Sequence, residues 1–371
     1  MKDLLAERLL AKVLGWTSEQ VAVERPIVQA LAAYKYDEYQ QFSAGSRFIE
    51  SLALWLDQFQ SAHERRDAYE FVKTKLVFCS SAELRHLVEM AYPDHIRPIL
   101  LDAAGGSDRR FRPSSTASTD EFRIRQRQCL FLGLSDGARI DSFRRANPAL
   151  NHEQIWQTHE LSQPRVDKLL SKLSEHLEDI LGRPPEAHER RFRTLVLLDD
   201  FSASGTSYFS LPADAPTGGK IFSFFDDVCG EKPAARLIDP NDVEVITVLY
   251  MATEQAINHL QKASQATWGA RGIQFRIEVV QPLPNEMKLA LGQGAPINSL
   301  IEHPNYYDPA LMDSHLSKGG TSDVRFGYAD CGLPLVLHHN TPNNSISLLF
   351  AYETLKFRGL FPRIQRHREM S

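Results

Sequence analysis

Two adjacent carboxylates, Asp199 and Asp200, follow the apolar run Thr194-Leu195-Val196-Leu197-Leu198 and precede the small-residue segment Phe201-Ser202-Ala203-Ser204-Gly205-Thr206-Ser207. A short apolar run bounded by polar residues reads as a buried strand. In open parallel sheets, ligands bind at the carboxyl ends of strands. Small residues let backbone N–H groups close around an anion, and a helix beginning near Tyr208-Phe209 would add the partial positive charge of its N-terminus. Ser204, Thr206 and Ser207 add hydroxyl donors, so Ser202 to Ser207, with Ala203 and Gly205 among them, suits a phosphate. The carboxylates cannot favour that phosphate directly. They suit the vicinal hydroxyls of a sugar, or a magnesium ion beside them. The competing reading is a surface turn with solvated aspartates.

Two further loops also follow apolar runs. The first is Leu132-Gly133-Leu134-Ser135-Asp136-Gly137-Ala138-Arg139. Gly137 permits unusual backbone angles there, and Arg139, Arg144 and Arg145 offer charge-assisted hydrogen bonds to a diphosphate. The alternative for Arg144 and Arg145 is a solvated helix face. The second is His338-His339-Asn340-Thr341-Pro342-Asn343-Asn344-Ser345. Its donors, His339, Asn340 and Asn343 among them, suit a base or a cover over a ligand. A plain turn rich in Asn and Pro competes with that. Adjacent histidines in a strand would point to opposite faces and not share one metal.

These loops need a scaffold. Apolar runs at Cys129–Leu134, Thr194–Leu198, Val243–Tyr250, Ile273–Val280 and Leu333–Leu337 alternate with helical stretches. That pattern predicts an α/β fold, a mainly parallel sheet flanked by helices on both faces. Residues 1–105 read as a helical N-terminal region. Phe48, Leu52, Trp55, Leu56 and Phe59 form one apolar stripe, and Thr17-Ser18-Glu19-Gln20 supplies capping residues. Cys79 to Leu101 reads as helix broken near Pro93. Residues 106–120 lie in a Gly-, Ser- and Thr-rich stretch that reads as a linker or loop. Residues 121–371 form the predicted α/β domain.

The net charge of −5, from 42 basic and 47 acidic residues, demands neither nucleic acid nor an anionic membrane as partner. The four cysteines, Cys79, Cys129, Cys229 and Cys331, are far apart and fit free thiols in a reducing cytosol rather than a zinc site. The charged N-terminus reads as an amphipathic helix, not a signal peptide. No apolar run approaches the ~20 residues of a membrane span. The expected location is cytoplasmic.

The segment 198–207 resembles the phosphoribosyl-pyrophosphate motif of type I phosphoribosyltransferases, closest to the orotate-type version. The resemblance implies that Asp199 and Asp200 hold the ribose 2′- and 3′-hydroxyls, and that Ala203 to Ser207 wrap the 5′-phosphate. Purine-type members often carry an acidic residue where this sequence has Ala203. Such enzymes bind pyrophosphate on a loop after an earlier strand, the place of Ser135, Asp136, Gly137 and Ala138. Together the three loops look like the phosphoribosyltransferase-like family of prokaryotic conflict systems, some retron-linked, over roughly residues 120–360. This implies a sheet of phosphoribosyltransferase type, a phosphoribosyl pyrophosphate or nucleotide ligand, magnesium at Asp199 and Asp200, and an effector role in antiphage defence. If the protein is an enzyme, Asp199 and Asp200 fix the sugar and Arg139 stabilises the leaving diphosphate. His338, His339 and Asp136 are the weak candidates for a general base. Two other readings remain: a sensor that binds such a ligand without turnover and signals to a partner protein, and a nucleic-acid-binding defence component. The latter would use basic clusters at Arg109–Arg112, Arg123–Arg127, Arg190–Arg193 and Arg363–Arg368.

Overall fold

The computed structural model describes residues 3–105 and 113–364. Seven strands occur among the described residues: β1 (Val77–Cys79), β2 (Cys129–Gly133), β3 (Ile155–Trp156), β4 (Thr194–Ser202), β5 (Glu244–Thr253), β6 (Gln274–Leu283) and β7 (Leu335–Leu337). The chain divides into two compact units, Met1–Glu83 with Pro284–Ser371, and Leu84–Leu283.

The first unit is discontinuous in sequence. Helices Asp3–Leu14, Ser18–Tyr34, Phe48–Leu56 and Ala62–Thr74 supply its N-terminal part. Thr17 and Gln20 form a reciprocal capping box, Thr17 Oγ1 accepting from the Gln20 amide at 3.3 Å and Gln20 Oε1 accepting from the Thr17 amide at 2.9 Å. The stripe Phe48, Leu52, Trp55, Leu56 and Phe59 is wholly buried. Phe326, Val336, Phe357 and Phe361 from the C-terminal stretch enter the same core. The sequence division placed residues 284–371 with the sheet, whereas this shared core groups them with the N-terminal helices. For the same reason the run at Leu335–Leu337 is not in the main sheet. β7 pairs in parallel with β1, a strand in a region read as helical.

Phe361 joins the two stretches most directly. Its ring lies 5.8 Å from Phe48 and 5.6 Å from Phe42, both stacked, and 5.2 Å from Tyr39. Phe361→Ala is expected to cost about 3–5 kcal/mol, seen as a lower urea midpoint. A change below about 0.5 kcal/mol, within the range of ordinary surface substitutions, would refute its place in this core.

The second unit carries a five-stranded, wholly parallel sheet in the order β3-β2-β4-β5-β6. The residues of β2 and Leu195–Leu198 of β4 are apolar and buried, as expected of central strands covered on both faces. On one face, helix Gln163–Leu181 inserts Val166, Leu169, Leu173 and Leu177 at helical spacing beside Leu130, Leu132, Leu195 and Leu197. Helix Lys220–Cys229 packs there through Ile221, Phe224 and Val228. On the other face Phe131 meets Tyr92 at 6.1 Å and Phe143 of helix Ile140–Ala146 at 5.3 Å.

Pro93 does not break its helix. Helix Ser81–Met90 widens into a π-type turn over Ala91–Ile96 and continues as Arg97–Gly105, an arrangement that accommodates a missing N–H donor. Of the stretch read as a linker, residues 106–112 lie outside the described residues, while Pro113–Thr116 is helical and Thr119 caps the helix Asp120–Arg127. No helix among the described residues is long and apolar enough to cross a membrane.

Candidate functional site

β4 runs four residues past the apolar stretch, so Asp199 and Asp200 lie within the strand rather than after it. Asp199 pairs with Leu249 of β5, and pairing continues to Ser202 opposite Ala252. Successive strand residues face opposite sides, and the two carboxylates diverge accordingly. Asp199 is 1% exposed; Asp200 is half-buried.

Asp199 is held by four donors. Ser135 Oγ donates to Oδ1 in a short hydrogen bond, and the Asp200 amide reaches the same oxygen at 3.2 Å. Tyr208 Oη donates to Oδ2 at 2.9 Å and Lys220 Nζ at 3.0 Å. Burial and the neighbouring Asp200 push the Asp199 carboxyl above its ordinary range, while Lys220 and Ser135 oppose that. Burial and the same carboxylate raise the Tyr208 phenol. The expected direct contact of Asp199 with a sugar or a metal therefore meets a carboxylate whose oxygens already serve the protein.

The loop after β2 comes to the same edge, because β2 and β4 are in register from Cys129–Thr194 to Gly133–Leu198 and the Leu134 amide donates to Leu198 O at 2.9 Å. A turn at Asp136–Ala138 follows, in which Ser135 Oγ accepts from the Gly137 amide at 3.1 Å. Gly137 serves by its size rather than by unusual angles: a Cβ there would sit 2.5 Å from the Asp200 carboxyl atoms. The left-handed residue is Arg139, at φ 49° and ψ 43°, a strained conformation for a side chain of this kind. Its Nε is buried without a hydrogen-bond partner. Arg144 is committed to Ile155 O at 3.1 Å and Asp141 at 3.0 Å, and Arg145 is exposed.

The loop after β4, the second at this edge, differs from expectation. No helix begins at Tyr208. An irregular stretch leads from Ala203 to Gly219, and the helix starts at Lys220. The amides of Lys220 and Ile221 donate to Ser207 O and Tyr208 O, each at 3.0 Å, so these helix N-terminal donors are spent on the loop itself. Ser202 Oγ accepts from the Gly205 amide at 3.2 Å, and Ser204 Oγ lies 2.9 Å from Thr206 Oγ1. Gly205 takes φ +78° against His259, where a Cβ would come within 2.8 Å. Ala203 and Ser204 are buried, and Ser207 is exposed.

Several residues the sequence reading passed over hold these loops. Tyr250 Oη donates to Ala138 O at 2.6 Å, Thr253 Oγ1 to Ala203 O at 2.5 Å, and the His259 ring meets Phe209 O at 2.7 Å. Tyr250 ends the apolar run Val243–Tyr250, and Thr253 ends the longer strand β5 that the run belongs to. Lys220 followed Gly218-Gly219 with nothing to link it to Asp199.

The third loop belongs to the other compact unit. There Asn340 Oδ1 accepts from Gln41 at 3.1 Å, Asn343 O from the Tyr328 amide at 2.7 Å, and the Asn344 amide group donates to Tyr328 O at 3.2 Å. His338 and His339 lie in a turn beyond β7, not in the strand, so their rings meet edge-on at 4.9 Å rather than pointing apart.

The described basic clusters are largely engaged within the protein. Arg123 and Arg125 pair with Asp120 and Glu121, both at 2.8 Å. Arg127 is buried, which lowers its guanidinium to about 10, and its Nε meets His176 at 3.0 Å. Arg191 donates to Ile238 O at 2.6 Å and Arg193 pairs with Asp242 at 2.9 Å. Arg109–Arg112 and Arg366–Arg368 lie outside the described residues.

No cluster of three or more metal-ligating side chains occurs among the described residues. The donor set fits a magnesium ion that arrives on a diphosphate and keeps most of its ligands from ligand and water. Asp200 suits that role; Asp199, already saturated, does not.

The model of the PRTase-CE family matches residues 52–363, which is more than half of the chain. No curated protein and no solved structure matches it.

Proposed function

We propose, for a chain that belongs to the phosphoribosyltransferase-like PRTase-CE family, that the carboxyl edge of β2, β4 and β5 binds a phosphoribosyl ligand, phosphoribosyl pyrophosphate or a nucleotide. The observation that carries this is the meeting of two loops at one edge: Gly137 of the first packs against the Asp200 carboxylate at the head of the second.

In this reading Asp200 accepts hydrogen bonds from the ribose hydroxyls. Arg139 and the amides of Ser135 and Asp136 face the diphosphate, and the hydroxyls of Thr206 and Ser207 face the 5′-phosphate. Magnesium, when bound beside Asp200, would neutralise diphosphate charge. Transfer from such a ligand breaks the bond at the anomeric carbon. Positive charge grows on the ribose ring and negative charge on the departing diphosphate. A carboxylate below the ring and a guanidinium at the diphosphate favour both without reorganising. The acceptor is a base, a nucleotide or water. A sensor would use the same contacts and form no product.

Titration of the protein with phosphoribosyl pyrophosphate and magnesium is expected to give saturable binding. Absence of heat and of any thermal stabilisation would remove this ligand. The loops' likeness to conflict-system proteins supports a further role as an antiphage effector. Cells carrying the gene with Asp200→Asn should then lose any protection from phage that the unaltered gene confers.

A further inference from the structure

We propose that Asp199 is a positioning residue that couples the two anion-binding loops, with Ser135 and Lys220 as its two arms. This rests on the reading of the carboxyl edge as a phosphoribosyl site.

A continuous series of hydrogen bonds joins the loops. The Gly137 amide donates to Ser135 Oγ at 3.1 Å. Ser135 Oγ donates to Asp199 Oδ1. Lys220 Nζ and Tyr208 Oη donate to Oδ2 at 3.0 and 2.9 Å. The Lys220 amide donates to Ser207 O at 3.0 Å, and the Tyr208 amide to Gly205 O at 3.1 Å. The first loop therefore reaches Ser207 and Gly205 of the second through one buried carboxylate. Lys220 also lies over the Tyr208 ring at 5.3 Å, which holds both donors on the same oxygen.

Each end of the series has only one good arrangement. A buried carboxylate that lost Ser135 or Lys220 would be left under-satisfied, a costly state. Ordering of the first loop by a diphosphate fixes Ser135, and through Asp199 it fixes Lys220 and the Ser207 carbonyl. The second loop is then already ordered when a sugar phosphate reaches it. Coupling of this kind is reciprocal and spans roughly 5- to 150-fold in affinity.

Ribose 5-phosphate and inorganic pyrophosphate, with magnesium, probe the two loops separately. Each is titrated by calorimetry into the full chain, alone and with the other at saturation. In the wild type, saturation with pyrophosphate is expected to tighten ribose 5-phosphate binding about tenfold. Ser135→Ala and Lys220→Met should each bring that factor close to one, and the double variant should lose no more than either single one. A ratio of affinities cancels any direct effect on either ligand, so loss of stability alone would not move it. Should Lys220→Met fail to fold, Ser135→Ala alone decides the matter. Binding of both ligands with a wild-type factor near one or below, or with a factor that both variants retain, overturns the coupling and leaves the site standing. If neither probe nor phosphoribosyl pyrophosphate binds, the site reading falls and the coupling with it.

Discussion

Asp200→Asn is expected to weaken phosphoribosyl pyrophosphate binding about 100-fold in calorimetry while the unfolding midpoint stays close to wild type. The magnitude follows from hydrogen bonds to a charged acceptor, about 1.5–3 kcal/mol each. Asparagine keeps the shape but removes the charge and replaces one acceptor oxygen with a donor. The fold should tolerate this, because Asp200 is half-buried and near the end of β4. Asparagine matches aspartate in size, so the close approach of Gly137, where a Cβ would lie 2.5 Å from the Asp200 carboxyl atoms, is kept. Unchanged affinity in Asp200→Asn would mean that the ligand, if bound, lies elsewhere.

Asp199→Ala should act in the opposite way, on stability first. The substitution removes the acceptor for Ser135, Tyr208 and Lys220 from a place that water does not reach. Removal of one partner from a buried, charge-assisted network costs about 3 kcal/mol or more. Asp199→Asn should cost much less. Burial and Asp200 already work against the ionised form, and an amide oxygen still accepts hydrogen bonds. Urea unfolding of the three proteins is the measurement. Equal losses for Ala and Asn would mean that the charge, not the hydrogen bonding, holds the loops. A loss below about 0.5 kcal/mol in Asp199→Ala would mean that the network contributes little.

The two aspartates look alike in the sequence, and the distinction between them is geometric. The acidic pair after an apolar run, the small-residue loop and the strand-helix alternation were all legible. Four of the five strands of the main sheet coincide with apolar runs, β2, β4, β5 and β6. β3 is only two residues long and too short to leave a periodic signal. Arg139 stood out by its position after a glycine turn, but its left-handed backbone did not, since nothing local to an arginine favours that conformation. The helix expected at Tyr208 failed because Tyr208 and Ser207 give their carbonyls to the helix that begins at Lys220. That exchange depends on chain returning from Gly219.

The amino-acid sequence by itself determined the class of fold and the place of the small-residue loops after β2 and β4, because hydrophobic period and small-residue composition are local properties. It also marked Asp199-Asp200 as an acidic pair at the end of an apolar run. Only the tertiary structure decided which aspartate faces inward. Strand alternation turns adjacent residues to opposite faces, but the face that closes depends on what packs there: here Tyr208 and Lys220, 9 and 21 residues farther along. Only the tertiary structure, likewise, put residues 284–371 with the N-terminal helices. Aromatic side chains such as Phe361 carry no mark of the partner they will bury against, and that partner lies some 300 residues away at Phe48, in the core the two ends of the chain share.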